Sequence, residues 1–290
     1  MLDCLFIGSA TKDTLLMVEA PPASDQRIAA SAVVHACGGV ASVGGSAGLI
    51  TVVGDPSDVT DFIASNIAER QLPYVDLIRV PGTDSPFSTI QVEASGKRCI
   101  THFGGCIRQL TLDMLDKNVL ADAKMIHLGG LEEHFCGELA AYCKRNTGAL
   151  VSVDGGNLSR EATDRMLPYV DVFIPDDKTV AKVLGCSPED ACLYYAERGV
   201  RISCVTMGDK GSVAYVGGTF HYAEPVRVSV VDTTGAGDNF HGAFLYCLAQ
   251  RWDLDHTLRF CNAFSGLTCQ GLGGLAAEPT LEETLRKMEE

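Results

Sequence analysis

Short apolar runs alternate with amphipathic helical patterns over most of this chain, and that alternation most constrains its fold. The apolar runs are residues 5–7, 50–53, 125–128, 150–153, 172–174 and 202–206. The helical patterns lie around residues 59–69, 135–145, 162–167 and 188–197. Continuous apolar strands are typical of sheets covered on both faces. The pattern therefore predicts an α/β fold, a doubly wound, mainly parallel sheet with helices on both faces.

Charge and cysteine spacing exclude several classes of partner. The 290 residues include 23 Lys and Arg against 37 Asp and Glu, a formal net charge of −14. Such a surface repels phosphate backbones and anionic lipid, so we expect neither nucleic acid nor membrane as a partner. None of the twelve cysteines has CxxC spacing. We therefore expect buried reduced thiols and, because the first residues lack the pattern of a signal peptide, a cytoplasmic location.

Residues 28–54 carry no Asp, Glu, Lys or Arg, over more than the about 20 residues that a membrane helix needs. Glycines at 38, 39, 44, 45 and 48 interrupt this stretch. Paired glycines break a helix and let a backbone approach a ligand closely. We therefore expect a buried, glycine-interrupted segment rather than a membrane span.

Two regions depart from the alternation. Residues 88–93 and 98–102 flank Ala-Ser-Gly-Lys at 94–97, which predicts a hairpin, and residues 15–34 contain strand-like pieces without a helix between them. These strands predict a small β lid, formed by about 13–36 and 86–104, inserted into a single domain that spans 1–290. Residues 213–216, 220–222 and 226–231 predict a second set of short strands, a meander at the edge of the large sheet.

The segment Asp-Thr-Thr-Gly-Ala-Gly-Asp at 232–238 connects the strand pattern 226–231 to a helical pattern. Free N–H groups and the helix dipole make such a helix start an anion site. Its small residues let a phosphoryl group approach their amides; they are Gly235, Ala236 and Gly237. Asp238 follows in the first turn, where a carboxylate can accept the proton of an attacking alcohol. An isolated Asp at this position is also a common helix cap.

Residues 232–238, with Phe240 and Gly242, resemble the C-terminal signature of the ribokinase-like (PfkB) carbohydrate kinases, and the order of elements resembles that family over nearly the whole chain. The resemblance implies a β lid over a sugar and transfer of the ATP γ-phosphoryl group to a sugar hydroxyl with Mg²⁺. It implies that Asp238 is the catalytic base and that the three small residues before it form the anion hole. By the same resemblance, Asp232 and Thr234 hold a monovalent cation such as K⁺. For Asp232, a turn residue at a strand end is the alternative.

The same resemblance extends to nucleotide contacts. Thr206, Gly208 and Gly211 follow the strand pattern 202–205 and resemble the nucleotide-binding turn of the family. A turn of this spacing alone is more often a hairpin connection. Asn262 matches a position that borders the nucleotide in relatives, against the alternative of an ordinary helix surface.

On the acceptor side, Asp13 resembles the aspartate that accepts hydrogen bonds from sugar hydroxyls, with a solvated loop acid as the alternative. Gly38 and Gly39 resemble the glycine pair against which the sugar lies.

The chain departs from the family in two places. Val43 stands where relatives carry a sugar-binding Asn, in a segment about five residues short.

The second departure is in the Asn-x-x-Glu motif of the family, which corresponds to residues 176–179, so that Thr179 replaces the glutamate. We expect Asp176 to serve the water shell of Mg²⁺ in its place, because Mg²⁺ keeps several waters. A pair of acids at a helix N-terminus is the alternative.

The leading hypothesis is thus an ATP-dependent sugar kinase, with a ketohexose-type acceptor preferred because 233–244 and 269–279 resemble fructose and sulfofructose kinases. One alternative is a nucleoside kinase, with Phe87 or Phe103 cradling a base. Another is a catalytically quiet protein that binds a sugar or nucleotide. A dinucleotide-dependent dehydrogenase is disfavoured, because no Gly-x-Gly-x-x-Gly follows the first strand. Exposed edges of the lid strands predict a homodimer through the lid.

Overall fold

A computed structural model describes residues 1–18, 24–93, 98–156, 158–273 and 278–290. The described strands are β1 (Leu2–Gly8), β2 (Ala10–Val18), β3 (Ser24–Ala32), β4 (Ala47–Val53), β5 (Tyr74–Arg79), β6 (Phe87–Glu93), β7 (Arg98–Phe103), β8 (Ala123–Gly129), β9 (Leu150–Asp154), β10 (Val172–Ile174), β11 (Ile202–Thr206), β12 (Ser212–Val216) and β13 (Thr219–Ala223). The described helices are α1 (Val33–Ser42), α2 (Asp58–Glu69), α3 (Lys117–Ala121), α4 (Glu133–Asn146), α5 (Arg160–Met166), α6 (Asp177–Val183), α7 (Pro188–Ala196), α8 (Ala236–Ala249), α9 (Leu254–Thr268) and α10 (Leu281–Glu289).

The larger sheet has the order β5-β4-β1-β8-β9-β10-β11-β12-β13. From β5 to β11 every neighbouring pair is parallel, and β12 and β13 are added antiparallel at one edge. All six predicted apolar runs lie within these strands, which confirms them. Because the parallel strands share one direction, their carboxyl ends meet at a single edge, where open α/β sheets bind ligands.

Burial with a period of two gives this sheet two apolar faces. In β1, Leu5 and Ile7 belong to one core, whereas Cys4 and Phe6 belong to the other. The first core is covered by α3 to α7, and the second by α1, α2, α8 and α9, with α10 at its margin. Helices therefore cover both faces, and the predicted doubly wound fold is confirmed.

The predicted helices begin where capping residues satisfy free N–H groups. Ser57 accepts from Thr60 N at the start of α2, and Ser187 accepts from Asp190 N at the start of α7. Pro188 occupies the first position of α7, where its missing N–H costs nothing. No helix in the described part of the chain has both the length and the apolarity to cross a membrane.

A second sheet has the order β3-β2-β6-β7, with β2 and β6 parallel and the outer pairs antiparallel. It comes from the two segments predicted to form the lid. The sheet already begins at Ala10, whereas residues 33–36 of the predicted insert belong to α1. The predicted hairpin turn at 94–97 lies outside the described residues, and the single-domain division of 1–290 remains a prediction.

One predicted strand is wrong. Residues 226–231 form no strand but an irregular segment that crosses α9. A Cβ on Gly266 of α9 would lie 2.5 Å from Val226 Cγ2, whereas Val230 and Val231 are exposed. The apolar pattern arises because valines of this segment pack on a helix, and packing of that kind needs no ladder of backbone hydrogen bonds.

The prediction that the glycine pair breaks a helix is also wrong, because Gly38 and Gly39 lie inside α1. A Cβ on Gly39 would lie 3.2 Å from Asn239 Oδ1 of α8. A Cβ on Gly38 would collide with the ion pair between Arg70 and Glu278. The pair lacks side chains because neighbouring groups pack closely against this helix.

Candidate active site

A cavity of about 820 Å³ opens beside the carboxyl end of β11. Six residues predicted to contact a nucleotide or its phosphates line it: Thr206, Gly208, Gly211, Ala236, Gly237 and Asn262. These residues come from the turn after β11, the start of α8 and the middle of α9. The structure therefore places residues from three separate parts of the sequence, each predicted to contact the nucleotide, around a single cavity.

The turn after β11 has a conformation that requires glycine. Gly211 has φ +84°, and a Cβ there would collide with the carbonyl oxygen of Ala223. Met207 N donates to Gly211 O at 2.8 Å, which closes the turn. The turn also joins two antiparallel strands, so the hairpin alternative applies as well. The same residues connect strands and line the cavity.

Asn262 fixes the opposite wall of the cavity. Its Nδ2 donates to Ala223 O at 2.9 Å and to Glu224 O at 3.0 Å. The side chain is 9% exposed, so the position is not an ordinary helix surface. By holding the backbone after β13, Asn262 sets the path of the segment that replaces the predicted strand 226–231.

The start of α8 has the geometry of an anion site. Gly235 is the N-cap with φ +73°, and a Cβ there would lie 3.0 Å from the ring of His35. A Cβ on Gly237 meets no described atom within 4 Å, so the space over the first turn is open. The first N–H groups of a helix have no intrahelical partner. Ala236 and Gly237 line the cavity, and helix starts of this kind bind anions. Ala236 N donates to Thr233 O at 3.3 Å.

Asp238 lies in the first turn of α8 and is half-buried. Its place, one residue after the open Gly237, puts a carboxylate beside the anion site. Its roles as catalytic base and as helix-start acid are compatible, because the helix dipole stabilises a negative charge there. The assignment of the base remains a prediction.

Asp232 and Thr234 are buried and bonded to each other in the loop before α8. Asp232 Oδ1 accepts from Thr234 N at 3.0 Å and from Thr234 Oγ1 at 2.8 Å, and Oδ2 accepts from Gly273 N at 2.9 Å. These bonds give Asp232 the role of a turn residue that fixes the loop. A monovalent cation at this pair remains a prediction.

Asp13 lies in β2 and is 2% exposed, so it is not a solvated loop acid. It pairs in register with Ser88, whose Oγ is 3.0 Å from His102 Nδ1. Paired residues on neighbouring strands share a face. Phe87 and Phe103 are partners one position away in the register, and therefore lie on the opposite face of the lid from Asp13. The predicted aromatic cradle for a base is not beside Asp13.

Asp176 stands at the carboxyl end of β10 and is exposed. It caps α6 by accepting from Thr179 N at 2.6 Å, and a bridge to Thr206 places it next to the nucleotide turn. The helix-cap alternative is thus present, in a position close to the cavity. Among the described residues no cluster of three or more His, Cys, Asp and Glu has the arrangement of a metal site.

Sequence reasoning missed four polar residues near this edge, of which His241, His127 and Ser152 are buried and Asp154 is partly exposed. His241 Nε2 of α8 is 3.5 Å from Asp154 Oδ1, and the rings of His241 and His127 are 5.0 Å apart. His127 Nδ1 is in turn 3.0 Å from Ser152 Oγ. Two signals were available: His241 lies one helical turn after Asp238, and Asp154 ends an apolar strand.

His35 of α1 was also missed, and it lies behind the anion site. Neither ring nitrogen has a hydrogen-bond partner among the described residues. Burial, followed by the charge of Arg70, lowers the pKa of His35 to about 3, against the opposing effect of Asp232. The imidazole is therefore neutral at physiological pH and acts as an apolar support for Gly235.

Comparison with known proteins identifies relatives of this chain. A model of the pfkB family of carbohydrate kinases matches residues 1–281. Ribokinase of Staphylococcus aureus (strain COL) is 25% identical over 243 residues, which cover 81% of this chain and 79% of that protein. Deoxyribokinase of Salmonella typhi is 24% identical over an alignment of 306 residues that covers 97% of each protein.

A solved structure also has the same fold. The crystal structure of a putative ribokinase II from E. coli, in complex with ATP and Mg²⁺, superposes with a TM-score of 0.86 at 20% identity. The superposition covers 100% of this chain and 99% of that one. Because the family model spans nearly the whole sequence, the chain belongs to the pfkB family of carbohydrate kinases.

Proposed function

We propose that this protein is an ATP-dependent sugar kinase that transfers the γ-phosphoryl group to a hydroxyl of its acceptor. The observation that supports this best is the cavity that joins the glycine turn after β11 to the open start of α8. Asp238 follows that helix start directly. A site for phosphates and a carboxylate beside it are the two parts that phosphoryl transfer needs.

In this mechanism the amides at Gly235–Gly237 hold the transferring phosphoryl group and stabilise its charge. Asp238 accepts the proton of the acceptor hydroxyl as that oxygen bonds to the γ-phosphorus. The bond from the γ-phosphorus to the β,γ-bridging oxygen breaks, and ADP leaves. Asp13 binds other hydroxyls of the acceptor and so orients the attacking one.

The cavity fits ATP in size, since small-molecule sites usually measure about 300–1,000 Å³. For Mg²⁺, the described residues offer Asp176 rather than a dedicated cage, which fits an ion bound mainly by nucleotide phosphates. When bound, Mg²⁺ neutralises charge on the phosphates. We also propose K⁺ at Asp232 and Thr234, where two oxygen-bearing side chains lie together in the loop.

For the acceptor we propose a ketohexose-type sugar. The support is the resemblance of residues 233–244 and 269–279 to kinases of fructose and sulfofructose. The relatives compared above are named for pentoses, so ribose and deoxyribose are the competing acceptors. Phe87 and Phe103, the predicted cradle for a base, lie on the face of the lid away from Asp13 and so do not support a nucleoside.

We propose in addition that the lid mediates a homodimer in the cytoplasm. Phe87 and Phe103 support this, because they are 41% and 44% exposed and their ring centroids are 5.2 Å apart. An exposed aromatic pair on a small sheet is typical of an interaction surface. A Phe87→Ser/Phe103→Ser variant is expected to be smaller in light scattering than the wild type.

The test of function is ADP release with a panel of acceptors: fructose and other ketohexoses, ribose, deoxyribose and nucleosides. Asp238→Asn serves as the matched control for contaminating kinases. Sugar-dependent ADP release that this variant lacks supports the proposal. Phosphorylation of nucleosides alone supports the nucleoside alternative. ATP binding in calorimetry without turnover on any acceptor supports a quiet binding protein.

A further inference from the structure

His241 lies beside Asp154 and His127 at the carboxyl edge of the larger sheet. It is 5% exposed, and its Nε2 is 3.5 Å from Asp154 Oδ1. Asp154 is itself fixed by Gly156 N, which donates to Oδ1 at 2.8 Å. The ring of His127 stands 5.0 Å behind. Asp154 and the ring of His127 contact the imidazole, whose Nδ1 has no hydrogen-bond partner among the described residues.

His241 and Asp238 lie three positions apart on α8. Side chains with this spacing face the same side of a helix, with about 5–6 Å between their Cβ atoms. The charge of Asp176 also raises the pKa of His241. His241 therefore contacts Asp154 and lies one helical turn from Asp238, near the proposed phosphate site.

The other elements packed against α8 add no competing charge near His241. From α1 comes His35, which is neutral because its pKa is lowered to about 3. Two charged side chains of α9 have their own partners: Asp255 binds His221 on β13, and Arg259 donates to a carbonyl of α10. On β1, Asp3 binds Lys124.

We propose that His241, held by Asp154, is a positioning residue that keeps the carboxylate of Asp238 in place and supplies the positive charge beside it. This inference rests on the proposed function, in which Asp238 is the base. Phosphates and Asp176 repel the negative charge of Asp238 and favour its protonation, which would remove the base. A cation one helical turn away offsets that repulsion.

The charges of the pair agree with this role. Burial lowers the pKa of His241, but Asp154 first, and then Asp238 and Asp176, raise it above its ordinary value. Burial raises the pKa of Asp154, yet the charge of His241 and hydrogen bonds from His241 and Gly156 lower it to about 2. Both shifts favour the charged forms of the pair, His241 as an imidazolium and Asp154 as a carboxylate.

The kinetic test is the pH profile of kcat/KM for His241→Gln and Asp154→Asn. The acid limb of this profile reports the protonation of the base. Loss of the imidazolium in His241→Gln is expected to move that limb upward by about one pH unit. Asp154→Asn removes a negative charge while lowering the pKa of His241, so it should move the limb less, and the double variant should move it no further than His241→Gln. The KM for ATP should stay within twofold.

Two matched controls separate this role from a structural one. His221→Gln removes a histidine from another His–Asp pair, whose Nδ1–Oδ1 distance is 2.8 Å, away from the cavity. Asp171→Asn removes a buried carboxylate at the opposite end of β9, where it binds Lys144 and Val151 N. Both are expected to leave the acid limb unmoved, even where they lower Tm. An unmoved limb in His241→Gln would overturn the proposal.

Histidine NMR gives a readout that needs no turnover. The His241 signal, assigned by its loss in His241→Gln, should titrate above pH 6.5 in the wild type and lower in Asp238→Asn. Interacting sites titrate as a pair, so this decrease should match the rise of the acid limb. A midpoint unchanged by Asp238→Asn overturns the inference. A different result overturns the proposed function alone: the wild type has no kinase activity, yet Asp238→Asn still lowers the titration midpoint of His241. In that case the charge coupling between His241 and Asp238 stands.

Discussion

The proposed nucleotide end and the proposed acceptor end of the site are built in different ways. At the nucleotide end, six predicted residues line one cavity, and most of them act through backbone or small side chains. At the acceptor end, Asp13 lies on the lid, whereas Gly38 and Gly39 lie within α1 and face neighbouring side chains. Val43, in the place of a family Asn, is buried in the core.

The difference follows from what each end recognises. A phosphate is bound by consecutive amides of one turn, so the residues that form its site are close together in sequence. Sugar hydroxyls need side chains of particular type and direction, which come from separate elements. Substitutions should therefore affect rate at the first end and acceptor affinity at the second.

The largest effect is expected for Asp238→Asn, which joins the two ends. The change keeps shape and removes the proton acceptor, so kcat should fall by about 10²–10⁴-fold. ATP affinity in calorimetry and Tm should stay near wild type. A variant that keeps more than a tenth of wild-type kcat would show that another group is the base.

Next comes Gly237→Val at the nucleotide end. No described atom lies within 4 Å of its new Cβ, so the fold should tolerate valine. The side chain would displace the phosphoryl group, and kcat should fall by about a hundredfold, as for misplacement of a reacting group by about 1 Å. Gly235→Ala is the contrast, because φ +73° and the His35 ring should make it lower Tm. Equal losses of Tm in both variants would contradict this account of the loop.

At the acceptor end, Asp13→Ala should raise the sugar KM by about 10–100-fold, since charge-assisted hydrogen bonds contribute about 1.5–3 kcal/mol. Steady-state kinetics with ATP varied should give an unchanged ATP KM. Asp13→Asn keeps an oxygen that can accept a hydrogen bond, so it should raise the sugar KM less than Asp13→Ala does. If the sugar KM does not change in either variant, Asp13 has only a structural role in the lid and does not bind the sugar.

Sequence was sufficient where local chemistry determines structure. The strands β1, β4 and β8 to β11 followed from apolar runs, because burial on both faces leaves that pattern. The open start of α8 followed from the glycines of residues 232–238, and an anion site there remains a prediction. The apolar pattern at residues 226–231 predicted a strand that the structure does not contain, because the valines there pack on α9 rather than on a neighbouring strand.

The rest depended on contacts between distant segments. Gly38 and Gly39 are glycines because α8 and the Arg70–Glu278 pair approach α1, which no local pattern reports. His241 and Asp154 meet only once α8 packs on the sheet. A sequence shows that both residue types are present, whereas the 3.5 Å that joins them is a property of the fold.

Two buried histidines, one at each end, make the stability of the protein depend on pH. Burial is the largest cause that lowers the pKa of both His35, at the nucleotide end, and His127, at the acceptor end, to about 3. In the unfolded chain their pKa is near 6.5, so protonation favours unfolding between pH 6.5 and 3. Stability is fully present above pH 6.5 and falls by about 1.4 kcal/mol per pH unit for each histidine, a tenfold change in the unfolding equilibrium.

Urea unfolding at pH 8 and pH 5 measures this. His35→Phe should reduce the acid sensitivity at little cost at pH 8, because neither ring nitrogen has a described partner. His127→Phe should also reduce it, but should be less stable at every pH, since Ser152 Oγ loses its bond. Unchanged acid sensitivity in both variants would mean that these histidines are already protonated in the folded protein.

The smallest effect is expected for substitutions that alter Mg²⁺ binding. Asp176→Asn keeps an oxygen for the cap of α6 while removing the charge near Thr206. The Mg²⁺ concentration for half-maximal activity should rise severalfold, less than the about 10–100-fold typical of outer-shell ligands, because phosphates bind most of the ion. Thr179→Glu should lower it by restoring an acid. Asp177→Ala, in the same helix turn, is the control. Identical Mg²⁺ titrations for wild type, Asp176→Asn and Thr179→Glu would show that Asp176 only caps α6 and that phosphates alone hold the metal.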